Sequence, residues 1–168
     1  YTLAERNNFY ASFAVAQKEP TRSDFTDRYK FAADDTYPSS EKLYDWELGY
    51  QYTAPRLSLG VNLYYMKYKD QLVPTGMVND DSNALNTNVP DSYRRGVELS
   101  ASWRATGWFT VGANATFSQN RIENYVDALK DSPTYGKELG DMTIAYSPDV
   151  IANAFLNFHH RGFEAVFH

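Results

Sequence analysis

The chain contains no cysteine. That absence excludes a disulfide framework and a thiolate metal site. No stretch approaches the roughly 20 apolar residues that a membrane-crossing helix needs. Basic charge is scarce: 16 Lys and Arg stand against 21 Asp and Glu, a formal net charge of -5. Phosphate backbones are held by clustered Lys and Arg, so no nucleic-acid partner is expected. The catalytic signatures G-x-S-x-G, P-loop and H-E-x-x-H are missing as well, and no enzyme is expected. Tyr1 to Asn8 has neither a basic n-region nor an apolar h-region. An export signal, if there is one, is expected upstream of this sequence.

Aromatics are abundant instead: 14 Tyr, 10 Phe and 3 Trp among 168 residues. Tyr and Trp favour sites where one end of the ring is apolar and the other wet. Their placement follows a period of two. From Tyr44 to Tyr52 the even positions are Tyr44, Trp46, Leu48, Tyr50 and Tyr52, and the odd ones Asp45, Glu47, Gly49 and Gln51. Successive strand side chains point to opposite faces, so this segment has one apolar and one polar face. Mean hydropathy is -0.57, which such alternation produces even in a membrane barrel.

Seven strands are expected, over residues 9–17, 43–53, 57–69, 93–104, 108–120, 150–159 and 163–168. The connections alternate in length. Thr53–Arg56, Ala105–Gly107 and Arg161-Gly162 are tight turns, with Gly107 expected to supply the left-handed position of a three-residue loop. Lys18–Lys42, Asp70–Ser92 and Arg121–Asp149 each exceed 20 residues. Loops that long are uncommon in compact soluble domains, whereas outer-membrane barrels pair short periplasmic turns with long extracellular loops. A three-residue Ala105–Gly107 loop sets Trp103 opposite Phe109, Leu99 opposite Ala113 and Glu98 opposite Asn114. A four-residue Thr53–Arg56 loop sets Tyr52 opposite Leu57, Leu48 opposite Val61 and Glu47 opposite Asn62. Both registers keep apolar with apolar and polar with polar. A soluble β-sandwich alternates in the same way, and would pack Tyr44, Trp46, Leu48 and Leu99 against a second sheet. A complete eight-stranded passive barrel is a further alternative.

Four segments carry a family resemblance. Lys18–Asp27 resembles a loop that follows a barrel strand in TonB-dependent outer-membrane receptors of the Bacteroidetes type. Ser40–Tyr50 is similar to that family's "pE…yElG" strand, Asn62–Val73 to its "N-x-Y-x-M-x-Y-K-D-Q-L-V" strand and loop, and Ser92–Leu99 to its "S-x-R-G-x-E-L" strand. The motifs stand in the family's order and cover most of Phe9 to Phe117, with a looser fit onward to His168. The resemblance implies an all-β, antiparallel up-and-down meander, residues 1–168 being part of a large transmembrane barrel of about 22 strands. The plug domain and the remaining strands are expected outside this sequence. It implies a Gram-negative outer-membrane location and active uptake of a nutrient such as a siderophore-iron complex, a cobalamin or a glycan. The partners it implies are outer-membrane lipid, the receptor's own plug, the TonB complex acting through that plug, and the small nutrient ligand.

In the barrel reading, Asp45, Glu47, Asn62, Glu98 and Asn114 face the lumen. Tyr50, Tyr52, Trp103, Trp108 and Phe109, beside the short turns, form an aromatic girdle. Arg22, Asp24, Asp27, Tyr29, Tyr37, Tyr93 and Arg94 combine charge with aromatic surface and are candidates for a ligand mouth, since function concentrates in loops on a rigid scaffold. No cofactor and no metal are expected. His159 and His160 are strand neighbours that point apart, which suits a rim position better than a shared ion. Asn79–Asn83 is acidic but lacks the spacing and distal Glu of an EF-hand, so it reads as a solvated turn.

Overall fold

A computed structural model of the chain describes residues 2–26, 37–78, 82–127 and 132–168. Among the described residues there are nine strands and one short helix: β1 (Thr2–Ala4), β2 (Asn7–Lys18), α1 (Arg22–Thr26), β3 (Glu41–Ala54), β4 (Leu57–Val78), β5 (Ala84–Arg104), β6 (Phe109–Ile122), β7 (Met142–Thr143), β8 (Val150–His160) and β9 (Phe163–Phe167). They form one antiparallel sheet in the order β1-β2-β3-β4-β5-β6-β8-β9, with β7 paired to β6. Strand follows neighbouring strand, so the topology is an up-and-down meander. The described strands β1 and β9 do not pair with each other, which leaves the small closed barrel without support.

Alternation fixes which side chains share a face. Phe9, Ala11, Phe13 and Val15 of β2 lie opposite Tyr50, Leu48, Trp46 and Tyr44 of β3. Leu48 lies opposite Leu63, Leu63 opposite Val97, Val97 opposite Phe117 and Phe117 opposite Val150. The apolar face therefore runs unbroken across the sheet. Among the described residues no second layer covers it: Phe13 is 58%, Leu48 56%, Trp46 43% and Leu99 41% exposed. The sandwich expectation fails here, because the residues it needs packed are bare. A contiguous apolar face of this size has to meet something apolar. A buried apolar cluster among the described residues, Val73, Val89, Ile122 and Ile144, with Tyr125 against it, lies at the ends of the strands beside the long connections.

Two registers differ from expectation. At the β3–β4 turn, Ala54 pairs with Leu57, so only Pro55 and Arg56 form the loop; Tyr52 faces Leu59, Leu48 faces Leu63 and Glu47 faces Tyr64. At the β5–β6 turn, Arg104 pairs with Thr110, Trp103 with Val111, Leu99 with Ala115 and Glu98 with Thr116. Both slips are of two residues, which leaves every side chain on its expected face. Gly107 is not in the left-handed region, because the wider loop does not need it there. The Arg161-Gly162 turn does use that region, with φ of 48° and 83°.

The stretch expected to be a loop over 70–92 is largely a tall hairpin, since β4 runs on to Val78 and β5 starts at Ala84. The ladder is irregular twice: Lys69 pairs with Asp91 and Gln71 with Val89, but Asp70 and Pro90 between them do not pair, and the register shifts again between Pro74 and Val78. Proline has no N–H to give, and Asp70 adopts a φ of 54°. The stretch over 121–149 also carries pairing, through β7 and a Val126–Glu138 bridge. Residues 79–81 of the acidic stretch lie outside the described residues.

Candidate functional site

The polar face is continuous from β3 to β6. Asp45 and Glu47 of β3, Asn62 and Tyr64 of β4, Glu98 and Arg94 of β5, and Asn114 and Thr116 of β6 all project from it, as the register requires. Asn62 donates from Nδ2 to Glu98 Oε2 at 3.2 Å, and Asn153 to Asn114 Oδ1 at 3.3 Å. Two cavities open on this face. One, of about 460 Å³, is lined by Tyr10, Gln51, Asn62, Glu98, Ser100 and Asn114. The other, of about 330 Å³, is lined by Glu47, Asn62, Tyr64, Arg94, Glu98 and Tyr146. Asn62 and Glu98 belong to both, so the two form one trough. Its chemistry is hydrogen bonding with dispersed charge. Among the described residues, no group of three His, Asp or Glu could hold a metal ion.

Three glycines shape this face. Gly49, Gly96 and Gly112 lie directly opposite Tyr10, Tyr64 and Phe155. Each ring lies over its glycine, in space that a Cβ would claim. Aromatic cover of a strand glycine restores packing that the missing side chain forfeits.

The girdle residues sit at the short-turn end. Tyr50 packs on Phe9 with ring centroids 4.7 Å apart and donates its hydroxyl to Asn7 Oδ1 at 2.7 Å. Trp108 lies 5.9 Å from Phe109, and both meet Phe158, at 6.1 and 4.8 Å. Tyr52 and Trp103 share the apolar face with them. His159 and His160 close the same end, and the His159 amide donates to the Trp108 carbonyl at 2.8 Å.

A second aromatic row, toward the other end, was not foreseen. Phe13, Trp46, Tyr65 and Tyr93 follow one another across four strands at 5.1, 5.8 and 6.3 Å, with Tyr44 6.3 Å from Trp46. Its signal was in the same alternation, four and three turns of the pleat above Tyr52. Tyr93 and Trp103 are separated by ten residues of β5. At about 3.3 Å per residue and roughly 40° of tilt they stand about 25 Å apart in height, the thickness of a barrel's apolar band.

Of the mouth candidates, Asp27 and Tyr29 lie outside the described residues. Tyr93 needs correction: it is on the apolar face, stacked on Tyr65 and covered by the Arg95 guanidinium at 5.1 Å. Adjacent strand residues point apart, so it cannot line a mouth together with Arg94. Arg94, on the polar face, donates to Ser147 Oγ at 3.0 Å and lies 5.9 Å over the Tyr68 ring. Arg22 is exposed at the start of α1, and Tyr37 is 80% exposed with its ring 6.4 Å from Phe25. Asp24 has a local task. Its carboxylate accepts from the Thr21 amide and hydroxyl, both at 2.7 Å, and from Asn86 at 2.9 Å. The amide bond is one half of a capping box on α1, the Thr21 hydroxyl adds to it on the same carboxylate oxygen, and the Asn86 bond ties the helix to β5. Burial pushes the Asp24 carboxyl up, but the bonds from Asn86 and Thr21 and the charge of Lys18 outweigh it and hold it below its ordinary value.

Beyond the second aromatic row, on the outer face, Asp91 pairs with Lys69 and, at 3.4 Å, with Lys67, which also reaches Glu123 at 3.5 Å. The Lys69 hydrogen bond is the largest influence on Asp91; burial opposes it, Lys67 adds to it, and the carboxyl is held below its ordinary value.

The sequence model described as TonB dependent receptor-like, beta-barrel matches residues 1–166. Among curated proteins none matches. Solved structures similar to the chain include the copper transporter OprC, at TM-score 0.71 and 20% identity over 98% of this chain and 23% of that one. The ferric yersiniabactin uptake receptor FyuA from Yersinia pestis aligns at TM-score 0.62 and 21% identity, over 94% of this chain and 21% of that one. The FrpB iron transporter from Neisseria meningitidis (F3-3 variant) aligns at 0.61 and 21%, over 96% and 23%. The chain thus spans between a fifth and a quarter of the length of these structures. With its meander, its two unlike faces and this match over nearly every residue, the chain belongs to the TonB-dependent receptor family, as part of the family's β-barrel.

Proposed function

We propose that the chain is a sector of the barrel of a Gram-negative outer-membrane transporter that imports a scarce nutrient with energy delivered by TonB through a plug domain. The observation that carries this reading is the unbroken, uncovered apolar face backed by a polar trough. Lipid covers the first face and the lumen borders the second. The aromatic rows at its two ends are the interfacial girdles, with Tyr50, Tyr52, Trp103, Trp108 and Phe109 toward the periplasm and Tyr44, Trp46, Tyr65 and Tyr93 toward the outside. Asp45, Glu47, Asn62, Glu98 and Asn114 border the plug or the path of the ligand. Arg22, Asp24, Tyr37 and Arg94, with Asp27 and Tyr29, remain the mouth candidates. The similar structures bear names of iron, ferric-siderophore and copper uptake, which favours a metal chelate, a siderophore-iron complex first, over a cobalamin or a glycan. The Bacteroidetes subtype rests on the four motifs.

Two experiments test the reading. In the full-length receptor in outer membranes, Asn62→Cys and Ser100→Cys react with a membrane-impermeant maleimide, and Leu63→Cys and Leu99→Cys do not. Equal labelling of the two sets refutes the facing. A deletion strain grown with a ferric siderophore, cobalamin or a glycan as sole source fails on the true cargo; normal growth on all three refutes the proposed nutrient class.

A further inference from the structure

The four short turns share a feature that the transport reading does not use. Arg6, Arg56, Arg104 and Arg161 sit in or beside them, and all four are exposed. Two of the four are brought together. The Arg104 amide donates to the Arg56 carbonyl at 2.8 Å, which clamps the β3–β4 turn to the end of β5. Arg56 and Arg104 then line one pocket of about 160 Å³ with Ser58, Ser102 and Thr110. The register explains the grouping: Ser58 lies opposite Ser102, and Arg104 opposite Thr110, all on the polar face. Among the described residues, neither guanidinium has an acidic partner within ion-pair reach. Two arginines and three hydroxyl residues therefore line one small space, an excess of positive charge and of N–H donors with no carboxylate among the lining residues. Arg presents planar paired donors that match a carboxylate or phosphate.

We infer that this pocket is an oxyanion cradle at the short-turn end of the barrel wall, taking a single carboxylate or phosphate group. Size selects the group. At about 30 Å³ per water the pocket holds roughly five waters, below the ~300 Å³ at which sites for whole small molecules begin. The oxyanion comes from one of two sources, a carboxylate of the receptor's own chain inside the barrel or a free phosphate group. The cradle rests on turn geometry alone. Only the first source rests on the polar face bordering a lumen, and the Asn62→Cys labelling decides that separately.

The test uses full-length receptor in neutral detergent, modified with phenylglyoxal and read arginine by arginine by mass spectrometry. Arg6 and Arg161 are internal controls of the same end and exposure. Arg56 and Arg104 react roughly tenfold more slowly than the controls, the fold-change that a charge-assisted hydrogen bond is worth at its lower end. Protection without any additive identifies a carboxylate of the receptor; protection that appears only with added inorganic phosphate identifies the free group. Raising the salt to about 1 M brings both arginines toward the control rate, because screening weakens ion pairs and leaves steric cover in place. Four arginines that react alike with and without phosphate overturn the cradle, and so does slow reaction that salt does not relieve.

Discussion

Gly96→Ala is the sharpest probe of how the polar face is built. A Cβ at Gly96 would meet the Phe117 backbone carbonyl first, closer than real Cβ contacts come, and then the Tyr64 hydroxyl at 2.7 Å and Cζ at 2.9 Å. The Tyr64 ring can swing away. The Phe117 carbonyl cannot, because it belongs to the β5–β6 ladder. Overpacking costs about 1–3 kcal/mol. Displacing one ladder bond adds about 1 kcal/mol, and the stiffer unfolded chain returns about 0.4–1 kcal/mol. The net expectation is a loss of roughly 1–3 kcal/mol. At Gly107 an added Cβ has nothing within 4 Å, so Gly107→Ala is neutral or slightly stabilising. Gly49→Ala falls between, since only the far end of the Tyr10 ring has to move. Urea unfolding of the full-length receptor in detergent, followed by loss of β-sheet circular dichroism, gives the order. Adding Tyr64→Leu to Gly96→Ala restores only part of the loss, because the carbonyl stays in place. Equal midpoints for Gly96→Ala and Gly107→Ala, or full rescue by Tyr64→Leu, refute the reasoning.

Leu63→Arg and Asn62→Arg place the same charge on adjacent residues of opposite face. The first costs about 2–4 kcal/mol near the bilayer midplane and the second far less, as measured by refolding into lipid vesicles; equal costs contradict the assignment of faces. Asp24→Ala removes the carboxylate that holds Thr21 at the start of α1 and the tie to Asn86, a loss of about 1 kcal/mol of local stability, seen as faster limited proteolysis around Arg22–Thr26. For Asp91 the folded carboxyl titrates below its ordinary value of 3.8. Its contribution is therefore present above the unfolded value and is lost as pH falls through the lower folded one. Thermal unfolding across the acid range shows wild type more stable than Asp91→Asn at neutral pH, with the two converging only below that ordinary value; a gap independent of pH removes the ion-pair explanation.

The existence and facing of the strands were legible because a sheet with one apolar and one polar face imposes a period of two, and Tyr44–Tyr52 of β3, Leu57–Leu63 of β4, Val97–Trp103 of β5 and Phe109–Phe117 of β6 keep that period. Register was less legible for the same reason. A slip of two residues changes Tyr52's partner from Leu57 to Leu59 and Leu99's from Ala113 to Ala115, yet no side chain changes face. Hydrophobic pattern cannot see such a slip; only the turn can, and Pro55-Arg56 tolerates more than one loop length. The tall β4–β5 hairpin contains Pro74, Pro90 and Asp70, residue types that are depleted from strands, so its upper part carries no clean strand pattern. In the fold, Asp70 and Pro90 interrupt the ladder at a single position and pairing resumes at Gln71 and Val89. The cluster that supports this end joins Val73, Val89, Ile122 and Ile144 from segments far apart in sequence, and no local period announces such a meeting.

The site divides along the same line. The polar-face positions Asp45, Glu47, Asn62, Glu98 and Asn114 follow from parity alone, so they could be named without a structure. Parity also places Tyr93 with Tyr65 and separates it from Arg94, although composition had grouped the two. The Arg56–Arg104 pocket could not be read at all, because it depends on register. With the four-residue loop expected at Thr53–Arg56, Arg56 is simply a loop residue. Only when Leu57 pairs with both Ala54 and Trp103, and Arg104 with Thr110, do two separate turns bring Arg56, Arg104, Ser58, Ser102 and Thr110 to the lining of one pocket. A two-residue slip is silent for the faces of a barrel wall and decisive for what its rim can bind.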